Sequence, residues 1–218
     1  MPPSSVETRK KLIDAATRSF AENGVFVASL VDITRKAGQR NRGAIYFHFG
    51  SRHGLLAEVL GAHADFLAER EGALLDLARG RPTDDVAGVV EAIVRPAVEL
   101  AETGWRGRCY LVILAELVNL DPAEYDPAVQ AALDRTGGYE VYRVLEERMP
   151  PMDADLRAER LSLVTSFILR AVADRARSRG RAGRPQLDLE LFTRNLIGMV
   201  TARVTAPVSR PSPSAAGR

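Results

Sequence analysis

Arg40, Arg42, Tyr46, Phe47, His48 and Arg52 crowd into one stretch, AGQRNRGAIYFHFGSR, residues 37–52. Guanidinium forks, aromatic rings and a histidine at this density are groups for gripping a polyanion and reading the edges of its bases. A core helix would not carry these arginines, and a solvated helix would not carry these aromatics. Arg42 suits guanine, whose major-groove edge accepts two hydrogen bonds from one guanidinium, a contact worth about 1–3 kcal/mol of discrimination. Phe47 suits a thymine methyl, while the Tyr46 hydroxyl and Arg52 suit phosphate oxygens. Gly43 and Ala44 are small enough to let a backbone approach the bases. Arg40 stands before the helix at the groove's edge, and Asn41 is a good capping residue for its start. Ile45 and Phe49, four residues apart, belong to the opposite, inward face.

Charge is distributed to match. Over residues 1–53, nine Lys and Arg stand against four Asp and Glu, a net of +5. The remainder holds 21 basic and 24 acidic residues, a net of −3, so the overall +2 hides a basic end on a mildly acidic body. Such an end calls for a polyanion partner.

The elements that must position these groups are helices. Strand signals are nearly absent, and helical periodicity runs through the chain. A first helix is expected from Val6 to Asn23, closed by Gly24. A second starts at Ser29, with Asp32 at capping-box spacing, and ends at Ala37-Gly38. A third runs from Asn41 to about Phe47, and a fourth, capped by Ser51, to about Leu77. Two helices joined by a tight glycine turn, with a first behind them, describe a helix-turn-helix whose third helix enters the major groove. Further helices are expected over about 84–103, 105–119, 126–148, 153–179 and 188–206, with breaks at residues 104, 121–127, 149–153 and 180–186. The organisation expected is all-α: a helix-turn-helix domain over residues 1–52, a helical regulatory and dimerisation domain over residues 53–206, and a disordered Pro/Ser-rich tail over residues 207–218.

Catalysis finds no support. The three histidines form no HExxH, and no Walker loop, GxSxG or CxxC occurs. His53, Glu58 and His63 are spaced i,i+5, on diverging helical faces. One cysteine, Cys109, forms neither an intrachain disulfide nor a zinc site by itself. No cofactor or metal is expected. No apolar run approaches 18 residues and no secretory signal opens the chain, so a cytoplasmic protein without membrane contact is expected.

RKKLIDAATRSFAENGVFVASLVDITRKAG followed by GAIYFHFGSRHGLL resembles the DNA-binding domain of TetR-type transcriptional regulators over about residues 8–60. The resemblance implies an all-α homodimer whose first three helices bind double-stranded DNA and whose body holds a small-molecule effector, most often as a ligand-released repressor. By position, Arg42, Gly43, Ala44, Tyr46 and Phe47 match recognition-helix contacts, His48 a residue beside the DNA backbone, and Arg52 a phosphate-binding lysine. Two departures stand out: AGQRN makes the turn one residue longer than the usual pattern, and Ala28 replaces a threonine before the second helix's cap. A second reading keeps the same head in a DNA- or partner-binding structural protein without ligand control.

Pocket candidates in the body are Phe66, Trp105, Cys109, Tyr110, Ile113, Glu116, Tyr139 and Tyr142, aromatics with a few polar groups. Ordinary cores use the same residue types. The last two long helices carry wide apolar faces, Leu161, Val164, Phe167 and Ile168, then Leu191, Leu196, Ile197 and Val200. By the resemblance they pair with a second subunit; the alternative is intramolecular core.

Overall fold

The computed structural model describes residues 5–118, 124–178 and 186–208, and its regular elements are all helices. The first, α1 (Ser5–Asn23), ends where Gly24 turns to φ +90°, a conformation costly to any residue with a Cβ. The Ser29 hydroxyl accepts from Asp32 N–H and opens α2 (Leu30–Lys36). Asp32 pairs with Arg35 at 2.9 Å. The end of α2 is a Schellman turn, with Gly38 N–H donating to Arg35 O and Gln39 N–H to Thr34 O.

The third helix, α3 (Ala44–Phe49), starts later than the capping pattern suggests. Asn41 does not cap it directly. Its Oδ1 accepts from Gly43 N–H at 2.9 Å, forming a side-chain turn, and Gly43 becomes the helix cap. At the far end α3 reaches Phe49, two residues beyond the expected stop, before Gly50 at φ +73°. Ser51 accepts from Gly54 N–H at 3.0 Å and opens α4 (Arg52–Gly61).

The expected fourth helix is two helices. The chain breaks at residues 62–63 and resumes as α5 (Ala64–Arg79). Two packing demands compete there: α4 lies on α1 and on α8 (Pro127–Asp134), while α5 lies on α6 (Val86–Glu102) and α9 (Gly138–Arg148). The segment expected as one helix over 126–148 is likewise α8 and α9. Gly137, at φ +83°, separates them, and a Cβ there would lie 3.3 Å from Ala68 Cα. Between these come α7 (Trp105–Leu117), entered through Gly104, and after them α10 (Ala154–Ser178) and α11 (Leu189–Thr205), the last capped by Asp188. Parts of the expected breaks, 121–123 and 180–185, and residues 209–218 of the expected tail lie outside the described residues.

One apolar core runs from Leu12, Phe20 and Ile33 through Leu60, Leu100 and Tyr110 to Val172 and Val200. It corrects half of the expected subunit interface. Val164, Ile168, Leu196 and Val200 are at most 2% exposed and belong to this chain's own interior. Each such burial contributes about 1.5–3 kcal/mol to the fold, which no second subunit is needed to supply. Leu161, Phe167 and Ile197 are half-buried, and Leu191 is exposed.

Candidate nucleic-acid interface

Helical phase sorts the residues of α3. Ile45, at 1% exposure, points into the core, and its neighbours Tyr46 and Phe47 stand 60% and 82% exposed. Arg40, Asn41 and Arg42 are exposed beside them, Gly43 is half-buried, and the half-buried His48 sits edge-on to Phe47 with ring centroids 5.0 Å apart. Ala44 departs from expectation. As the first residue of a helix that begins two positions later, it turns inward and is buried, so it presents nothing to a groove. Phe49 is half-buried, with the Arg9 guanidinium 5.2 Å from its ring centroid. A phenylalanine four-fifths exposed next to two exposed arginines is an unfavourable surface until something flat or apolar covers it.

Arg52 does more than the sequence indicates. Its Nη1 donates to Val25 O at 2.8 Å, tying the start of α4 to the α1–α2 connection. Val25 N–H in turn donates to both Glu116 carboxylate oxygens at 3.0 Å. Val25 is thus clamped by the head on its carbonyl and by α7 on its amide. Phe26, Val27 and Val31, around this clamp in sequence, are exposed apolar residues that spacing did not single out. The apolar run VFV, residues 25–27 in a helix connection, was the signal for the first two.

The helix α7 reaches in two directions. Toward the head, Arg106 makes a two-pronged ion pair with Asp14 of α1, both contacts at 2.7 Å, and its guanidinium and that of Arg18 flank the Trp105 ring at 4.6 and 3.7 Å. Toward the body, Tyr110, Leu111 and Leu114 form one wall of a cavity of about 100 Å³. Leu67 and Glu71 of α5, Ile93 and Ala97 of α6, Leu133 of α8, Tyr142 of α9 and Ile168 of α10 complete most of the lining.

Of the eight residues expected at a pocket, Tyr110 and Tyr142 line this cavity. Ile113 is fully buried core, and Phe66 and Cys109 are half-buried outside the lining. Trp105 and Glu116, near opposite ends of α7, serve the seam with the head, Trp105 under Arg18 of α1 and Glu116 on Val25 of the α1–α2 connection. Tyr139, 77% exposed, faces away from the core at the start of α9. The sequence reading missed Glu71, Thr136 and Thr165. Glu71 had a signal: it occupies the middle of the apolar row Leu67, Glu71, Leu75 at i, i+4, i+8.

Electrostatics inside the cavity are unusual. Glu71 Oε2 and the Tyr110 hydroxyl are buried without a hydrogen-bond partner among the described residues. Burial pushes the Glu71 carboxyl up to about 8. It also raises the Tyr110 phenol, with the nearby Glu71 adding to the effect. Tyr142, which accepts from Thr165 at 2.7 Å, is pushed up to about 12, chiefly by burial. Behind Tyr110, outside the cavity, His63 packs edge-on at 5.2 Å between centroids, at the α4–α5 break. Burial and then the Arg106 charge lower its pKa. The other members of the histidine–acid set part company: His53 lies 3.6 Å from Asp126, and Glu58 pairs with Arg9.

Residues 12–59 match the family model of bacterial regulatory proteins of the tetR family, and residues 91–202 match that of the tetracyclin repressor-like C-terminal domain. The chain is 48% identical over 54 residues to the HTH-type transcriptional regulator SrpR of Pseudomonas putida, a quarter of each protein. It is 40% identical over 79 residues to the HTH-type transcriptional regulator TtgR, also of Pseudomonas putida, 36% of this chain and 34% of that one. The matches span only about a quarter to two-fifths of the curated relatives' own lengths. Among solved structures, AibR in complex with isovaleryl coenzyme A and operator DNA shares the fold, with a TM-score of 0.55 at 17% identity, covering 88% of this chain and 97% of that one.

Proposed function

The chain belongs to the tetR family of bacterial regulatory proteins, and on that premise we propose that it is a sequence-specific transcriptional regulator. It binds a pseudo-palindromic operator as a homodimer, acts as a repressor in the cytoplasm, and is released by a small-molecule effector. The observation that carries the DNA reading is the outward face of α3: Tyr46 and Phe47 exposed beside Arg40 and Arg42, on the end of the chain with a net +5. In this reading residues 1–52 contact DNA and residues 53–206 hold the effector and the second subunit. Arg42 reads a base, Phe47 lies against a thymine methyl, and Tyr46, His48 and Arg52 position the backbone with Arg40 and Asn41 at the groove's edge. Gly43 allows close approach. Ala44 drops out of the contact set and supports the helix from within.

The subunit interface is assigned to the outer faces of α10 and α11, where Leu163, Leu191 and Met199 are exposed and Leu161, Phe167 and Ile197 are half-covered. Two-fold pairing there would set two copies of α3 about one helical turn apart, roughly 34–36 Å, to meet successive half-sites.

Coupling runs through α7. One helix carries Tyr110 and Leu114 into the cavity and Arg106 and Glu116 onto the head. An effector that favours a shifted α7 releases or re-aims Val25, α1 and, through His63, the α4–α5 break. The population then moves toward a form whose two reading helices no longer fit one duplex. The test is to map which genomic fragments the purified protein retains and to titrate the best of them by fluorescence anisotropy at several salt concentrations. A short, two-fold-related motif bound by a dimer, with affinity falling steeply as salt rises, is the expected result. Retention of all fragments alike, or binding by a monomer, would remove the proposal. Binding that no metabolite relieves would favour a structural DNA-binding role.

A further inference from the structure

We propose that the effector of the α5–α10 cavity is a compact apolar amine, bound as its ammonium ion between the Glu71 carboxylate and the Tyr110 hydroxyl. This rests on the reading of that cavity as the effector site, and it names the chemistry that the site would accept.

Three observations converge on that chemistry. The first is an inventory of polar groups on the walls. Thr165 is committed to Tyr142 at 2.7 Å and Thr136 to Leu133 O at 2.8 Å. Glu71 Oε2 and Tyr110 OH are left without partners, both fully buried atoms. Buried polar atoms in folded proteins are nearly always satisfied, so a pair of unsatisfied ones on residues that line one cavity marks where a ligand's polar end belongs. The second is charge. Glu71 carries the one carboxyl group among the described lining residues, and no Lys, Arg or His lines the cavity with it. His63 lies behind the Tyr110 ring, with Arg106 beyond it toward α1. An anionic ligand would bury its own charge with no cation to offset it, an unfavourable arrangement even while the Glu71 carboxyl is protonated. An ammonium group supplies what is missing: a positive charge beside which Glu71 can ionise, and N–H donors for both oxygens. The third is size. About 100 Å³ lies below the range of roughly 300–1,000 Å³ usual for drug-sized ligands, so the apolar part is a single ring or a short branched chain.

Binding moves a proton. In the free protein at neutral pH, burial keeps the Glu71 carboxyl largely protonated, at about 8. As the ammonium ion arrives, that carboxyl ionises and its proton passes to the buffer. Nothing is oxidised and no covalent bond other than the carboxyl O–H changes.

The experiment uses three near-isosteric probes, benzylamine, benzyl alcohol and benzoate, titrated calorimetrically into the full-length protein at pH 7 in buffers of different ionisation enthalpy. Benzylamine should bind at least about tenfold more tightly than benzyl alcohol, the equivalent of one charge-assisted hydrogen bond. Its apparent enthalpy should vary with the buffer in proportion to nearly one proton released, and benzoate should not bind. Glu71→Gln should lose the amine preference and the buffer dependence while still taking up benzyl alcohol. Tyr110→Phe, which keeps the ring and removes only the orphaned hydroxyl, should weaken benzylamine severalfold. Benzoate binding as well as benzylamine, an unaltered amine affinity in Glu71→Gln, or no binding of any probe at millimolar concentration would overturn the proposal. Operator binding is measured separately by anisotropy, so an amine-blind protein that still binds its operator refutes the cavity chemistry and leaves the DNA reading intact.

Discussion

Replacing Glu116 with alanine should loosen the head from the body. Both carboxylate oxygens accept from Val25 N–H at 3.0 Å, across 91 residues of sequence, and the Val25 side chain is fully buried. A hydrogen bond to a charged acceptor contributes about 1.5–3 kcal/mol, and its loss leaves a part-buried amide without its partner. The carbonyl of Val25 keeps its bond to Arg52, so the connection should stay folded while its grip on α7 is lost. A loss of about 2 kcal/mol in a chain of this size lowers the melting temperature by about 4–8 °C. Glu116→Gln retains one acceptor oxygen without the charge and should lose about half as much. Thermal melts followed by far-ultraviolet circular dichroism measure the stability. Operator anisotropy, with and without effector, measures the coupling: the alanine variant should bind DNA more weakly and respond less to the effector. An unchanged melting temperature in Glu116→Ala, or a full effector response, would refute the assignment of α7 as the link.

Other outcomes follow from the same geometry. Arg42→Ala should relax base preference at one position of each half-site, costing about 1–3 kcal/mol there, as read by binding-site selection; an unchanged preference removes Arg42 from the readers. Arg52→Ala should weaken all sequences alike and lower the salt slope by about one, and it should also lower the melting temperature, because Arg52 holds Val25 O. Leu191→Glu puts a charge on the exposed apolar face of α11 and should convert the dimer to a folded monomer in analytical ultracentrifugation. A dimer that persists moves the interface elsewhere. For pH, the Glu71 carboxyl sits at about 8 in the fold against an ordinary 4.5. Between those values the native state holds a proton that the unfolded chain has released, so this group's contribution falls as pH rises. Its slope is at most about 1.4 kcal/mol per pH unit. Urea denaturation should show wild type losing stability relative to Glu71→Gln from pH 5 to 8; parallel curves would contradict the burial of this group.

The sequence by itself determined whatever is decided within a turn or two of helix. Ser29, Ser51 and Asp188 cap helices through their own side chains, and Gly24 and Gly38 end them by adopting φ angles that other residues avoid. The 3.6-residue period placed Ile45 inside and Tyr46 and Phe47 outside, because within one short helix the phase of a single apolar anchor fixes its neighbours. The tertiary structure decided which surface each apolar stripe meets. Val164 is core and Leu163, one residue earlier, is exposed, a distinction set by how α10 lies on α6, α7 and α11. The break at residues 62–63 arises because α4 and α5 answer to different neighbours, and Ala44 turned inward because its helix starts later than Asn41 suggested. The unpartnered Glu71 Oε2 and the pairing of Glu116 with Val25 are likewise facts of long-range packing. Capping and propensity act through bonds a few residues apart, whereas burial and pairing depend on which helices the whole core brings together.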